Sequence, residues 1–119
     1  MEDFILREID RLGELLQMVA RRLGLLDGNA PEYTLTNVKE EFGKSGLPID
    51  PDAVLGQENP VAYLVSTVKI SDQGLETFID IIFHSDLDED NKLSLLHDAL
   101  AYLDSKGYFS FRLHSLDAS

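Results

Sequence analysis

The chain contains no cysteine and no tryptophan. Without thiols it cannot build a disulfide scaffold, a zinc knuckle, a thiol nucleophile or a cysteine redox centre, and it suits a reducing compartment. Positive charge is also scarce. Ten Lys plus Arg stand against 22 Asp plus Glu, a formal net charge of −12. Nucleic-acid binding draws its affinity from neutralised phosphates, and the basic residues are scattered apart from Arg21 and Arg22, so no nucleic-acid partner is expected. Long apolar runs are missing too. A spanning helix takes about 20 predominantly apolar residues, and the most apolar stretches, Pro60 to Val65 and Phe78 to Phe83, are each about a third of that. Glu2 and Asp3 carry the wrong sign for the start of a signal peptide. The expectation is a cytoplasmic protein with no membrane partner.

What remains is an ordinary globular composition: 119 residues, 44% hydrophobic and 27% charged. Such a length accommodates one domain, residues 1–119, with a real core.

Helical periodicity dominates. Over Asp3 to Leu23, Ile5, Ile9, Leu12, Leu16, Val19 and Leu23 follow a 4-3-4-3-4 spacing that only a helix gathers on one side. Acids at Glu2 and Asp3 and bases at Arg21 and Arg22 suit the two ends of its dipole. Phe4, Leu6, Leu15, Met18 and Leu26 widen the stripe, so one intramolecular neighbour is not expected to cover it. A homodimer through Ile5, Ile9, Leu12, Leu16 and Val19 is therefore expected, against the alternative that the short helices between Thr34 and Leu55 wrap this face. Gly13 leaves two readings open, a surface glycine or a point of close helix approach.

Asp27 to Tyr33 gathers turn formers and reads as a connection. Asn37 with Glu40 resembles a capping box for a short helix carrying Leu35, Val38 and Phe42 and ended by Gly43 and Gly46. Asp50-Pro51 and Asn59-Pro60 each place an N-cap before a first-turn proline. The second starts a helix to about Lys69, although Val61 to Val68 is β-branched enough to pass for a strand. Ser71 caps a helix with Leu75, Phe78, Ile79, Ile82 and Phe83 on its core face. Leu93, Leu96, Leu100 and Leu103 mark another, ended by Gly107. Ser110 is placed to cap a last short helix, and the apolar tail from Tyr108 to Leu116 reads as docked.

Candidate chemistry is sparse. Asp86, Asp88 and Asp90 alternate as in the first part of a calcium loop, but Asn91 stands where glycine belongs and His97 where the bidentate glutamate belongs. The plainer reading is a solvated loop whose carboxylates cap the next helix. His84, Asp86, Asp88, Asp90 and His97 are the candidate metal residues. Ser94, His97 and Asp98 lie close in sequence, yet adjacent residues on a helix point in different directions, so no triad is expected. Gly43-Lys44-Ser45 lacks the earlier glycine of a phosphate loop. No catalytic residue and no cofactor is assigned.

The segment Leu93 to Phe111, with Ala-Leu-Ala-Tyr-Leu, then Lys-Gly-Tyr-Phe, resembles a tetratricopeptide-type helical hairpin. Together with the Phe-Ile-Leu-Arg-Glu-Ile-Asp-Arg-Leu stripe at the N-terminus, the chain looks like small all-helical bacterial proteins with repeat-like packing. The resemblance implies an all-α array of about five to seven helices in hairpin packing and a bacterial cytoplasmic setting, and it transfers no catalytic residue. The expected function is a protein-interaction module, self-associating or bound to another protein. The alternative is a small metal-dependent hydrolase or metal-responsive regulator using the His84 to Asp90 region.

Overall fold

The computed structural model describes residues 10–25 and 32–118. The expected interface residues Ile5 and Ile9, and most of the first connection, lie outside them. Among the described residues the chain is all-α, with seven α-helices, one π-helical turn and no strand. The α-helices are α1 (Arg11–Arg22), α2 (Leu35–Lys44), α3 (Pro51–Leu55), α4 (Pro60–Tyr63), α5 (Asp72–Phe83), α6 (Glu89–Ser105) and α7 (Phe111–Ala118). The π-turn, Leu64–Val68, continues α4 directly.

Side-chain caps define most of the starts. Asp50 accepts from Asp52 N–H at 3.0 Å, Asn59 from Ala62 N–H at 3.2 Å, and Ser71 from Gly74 N–H at 3.0 Å. These oxygens satisfy amides that the first turn cannot pair. The α2 cap differs from the expected Asn37 and Glu40. Thr34 is the N-cap, accepting from Asn37 N–H at 3.1 Å while Asn37 Oδ1 accepts from Thr34 N–H at 3.0 Å. The helix therefore starts one turn earlier, which places Leu35 inside it. Three helices end alike: Gly24, Gly46 and Gly107 take positive φ, and the next residue donates back five positions, as in Leu25 N–H to Ala20 O at 3.0 Å. Lys69 plays that part after the π-turn, with φ 62° and Ile70 N–H bonded to Leu64 O at 3.0 Å.

Helix α5 is the axis of the fold, packed against α1, α2, α6 and α7. From Gly74 to Ile82 every residue except Glu76 is buried, so it is apolar nearly all round, the mark of a central helix. Phe42 of α2 meets Phe78 edge-on at 6.1 Å. Leu16 and Val19 of α1, expected at a dimer face, are 0% exposed within the single chain because α5 packs on them. Leu12 and Leu15 are half-buried, and Met18 is exposed. On α6 the buried set is Leu95, Leu96, Ala99, Leu100 and Leu103, whereas Leu93, expected in the stripe, is exposed. Gly13 follows neither reading fully. It is buried, and a Cβ there would lie 2.5 Å from Asp10 Oδ1. That oxygen accepts from Ser71 Oγ at 2.6 Å, so the glycine makes room for a carboxylate that ties α1 to the start of α5.

Candidate functional site

The metal candidates do not converge. Asp86 Oδ1 accepts from Leu35 N–H at 2.8 Å and ties the α5–α6 loop to α2. Asp88 is the α6 N-cap, accepting from Asn91 N–H at 3.1 Å and Asn91 Nδ2 at 2.7 Å. The Asn91 bonds favour the charged form and hold the Asp88 carboxyl below its ordinary value. Asp90 is exposed in the first turn of α6. His84 turns back to Asp80, while His97 reaches Asp117 of α7 at 2.7 Å and His114 reaches Asp104 at 3.3 Å. Each histidine thus meets a different aspartate. Among the described residues no three His, Asp or Glu side chains gather where they could hold a metal. His97 points to α7 while Ser94 and Asp98 face a groove on another side of α6, so the three do not form a relay.

Sequence reasoning did not single out the buried polar centre around Asp80. Its side chain is 8% exposed, and Oδ2 accepts from Arg112 Nε of α7 at 2.8 Å. One turn on, His84 Nδ1 lies 2.9 Å from Asp80 O and 3.2 Å from Oδ1. A carbonyl oxygen only accepts, so Nδ1 carries the proton. It is aligned on the carbonyl, and Oδ1 is a close electrostatic neighbour without a hydrogen bond of its own. Contact with Asp80 favours the imidazolium and raises the His84 pKa despite burial. Tyr33 donates to Ile81 O at 2.6 Å. Burial first, then the Asp80 charge, pushes its hydroxyl up, so it stays protonated. One acid lower on α5, Glu76, accepts from Ser110 Oγ. The two acids hold α7 against α5. The one cue in the sequence was Asp80 itself, a lone charge between Ile79 and Ile81 in an apolar run.

Among the described residues two surfaces combine partly or fully exposed apolar side chains with free access. The first is a groove between α6 and the segment from Leu55 to Ser66, with Leu55, Pro60, Val65 and Tyr102 half-buried along it and Glu58 and Asp98 exposed on its rim. The second is an aromatic ledge at the α6–α7 corner, where Phe109 and Phe111 are 68% and 77% exposed. Phe109 stacks on His114 with centroids 4.7 Å apart and planes 11° from parallel. Ser110 between them is the pivot, since its Oγ accepts from Leu113 N–H at 3.1 Å and seats α7. The apolar tail is thus docked through Leu113, which is fully buried, with Tyr108 and Leu116 packed partly buried beside it, and not through Phe109 or Phe111. Among the described residues no helix is long and apolar enough to cross a membrane. No protein-family model, curated protein or solved structure matches the chain.

Proposed function

We propose that this chain is a helical protein-interaction module without catalytic chemistry of its own, and that self-association is one of its uses. The observation that carries this reading is the ledge of Phe109 and Phe111, both far more exposed than any other large apolar side chain among the described residues. Burying one large apolar side chain is worth about 1.5–3 kcal/mol, so two together reward a partner that covers them. Stacking on His114 holds Phe109 in place before any partner arrives, which lowers the ordering cost of binding. Helices α6 and α7 form a hairpin around Gly107, the unit that repeat-type interaction proteins stack into binding surfaces. A two-fold dimer would use one patch twice.

Sedimentation velocity over a concentration series tests the reading. The expected result is a mass that rises above 13.3 kDa with concentration in the parent chain and remains at the monomer value when Phe109 and Phe111 are both changed to Ser. Leu12→Glu, on the half-buried flank of α1, should leave association largely intact. A concentration-independent monomer, combined with no cross-linked partner lost on the double substitution in the native host, would overturn the proposal.

A further inference from the structure

Along one side of α6, Asn91, Ser94, Asp98 and Ala101 face two adjoining recesses, with Asp98 on the ridge between them. Their 3-4-3 spacing keeps them on one stripe of the helix. The stripe runs about 15 Å at 1.5 Å per residue, close to three helical turns. The opposite wall comes from the end of α3, from α4 and from the π-turn, whose Val65 and Ser66 border the larger recess of about 300 Å³. π-turns occur often at functional sites.

We infer that this groove binds a basic amphipathic helix from a partner protein. The inference rests on the interaction-module reading but uses a different face from the aromatic ledge. Apolar surface from Leu55, Pro60, Val65 and Tyr102 matches one stripe of such a helix, and its cations match the rim. Glu58 and Asp98 have no ion-pair partner among the described residues, and no Lys, Arg or His lines either recess. The nearest cation at the Tyr102 end, Lys106, lies 5.5 Å from the ring and is held by Asp72 at 2.9 Å. An occupant bringing positive charge gains at both rim acids, while an acidic one meets a chain of net charge −12. Shape favours a helix. An added strand needs a sheet edge, and there is no strand among the described residues. A proline-rich ligand needs an aromatic-lined groove, and Tyr102 is the one aromatic residue lining this one.

The probe is a synthetic helical peptide of about 15 residues, with leucines at i, i+3, i+4 and i+7 and lysine or arginine elsewhere. It is titrated against the full chain by fluorescence anisotropy. Saturable binding is expected, weakened about tenfold or more by Asp98→Lys or Glu58→Lys and weakened by added salt. Ala101→Trp, which fills the recess without changing charge, should weaken it similarly. Glu14→Lys makes the same charge change on α1 and should alter binding less than about twofold. All four sites are exposed, and an unchanged helical circular-dichroism spectrum certifies each variant. Amide shifts should fall on residues 61–66 and 94–102. Equal losses from Glu14→Lys, equal binding of a scrambled basic peptide, no binding at low salt, or shifts confined to residues 109–113 would each overturn the inference. The two proposals fail separately: loss of self-association in the Phe109 and Phe111 double variant with no peptide binding removes only the groove, and peptide binding by a strict monomer removes only the ledge.

Discussion

Asp80 stands between Ile79 and Ile81 with almost all of its side chain out of water, so its charge has to be met inside the protein. Arg112→Gln removes the main partner. The arginine is itself about half exposed, which keeps the cost below that of a fully buried pair, at about 1–3 kcal/mol. His84 is then the remaining cation near Oδ1. Its folded pKa lies above the ordinary value, so its stabilisation is complete below about pH 6.5 and is lost as pH rises through the folded value. Urea unfolding near pH 6 and near pH 8.5 should therefore find the Arg112→Gln penalty larger at the higher pH, and His84→Gln should flatten that difference. A penalty equal at both values would remove His84 from this account. Gly13 offers a second test at this scale. Gly13→Ala gains about 1 kcal/mol of helix propensity but drives a methyl into the Asp10 carboxylate that holds Ser71. The gain should emerge in an Asp10→Ala background and be absent in the parent; equal effects in both would show that the close contact is without consequence.

Among the elements, α6 separates what periodicity reveals from what packing selects. Leu93, Leu96, Leu100 and Leu103 form a clean stripe in the sequence, yet α6 is packed against α5, α7 and α4. Three neighbours broaden and rotate the buried arc, so Leu95 is covered and Leu93 is left at the rim. Leu96→Ala should cost about 2–5 kcal/mol, whereas Leu93→Ala should cost about 0.5 kcal/mol. Comparable penalties in thermal or urea melts would contradict the packing described. The β-branched run after Asn59 is helical for a local reason. The Asn59 cap and a proline at the first position set the helix going, and a π-turn ended by left-handed Lys69 closes it.

For the whole molecule, the acid excess is the governing term. Arg22, Lys39, Lys44, Lys106 and Arg112 all pair with carboxylates, and the net charge of −12 still leaves carboxylates in large excess. Self-repulsion of this kind is screened by salt, whose Debye length falls from about 30 Å at 0.01 M to about 10 Å at 0.1 M. Raising sodium chloride over that range should raise the melting temperature. A fall would mean that the ion pairs outweigh the repulsion.

The all-α class, the capped starts at Asp50, Asn59, Ser71 and Ser110, a cap from the acidic loop before α6, and the glycine stops at Gly46 and Gly107 were legible in the sequence, because each is decided within a few residues by hydrogen bonds and φ. Leu75, Phe78, Ile79 and Ile82 were legible as core for the same reason of period. Which faces meet was settled only in three dimensions. Leu16 and Val19 could have served a second chain equally well, and α5 covers them instead. Asp80 and Arg112 lie 32 positions apart, and the groove joins α6 to residues 55–66. Long-range pairings of this sort depend on burying apolar area, which carries no local mark of its partner, so the helices belonged to the sequence and the candidate surfaces to the tertiary structure.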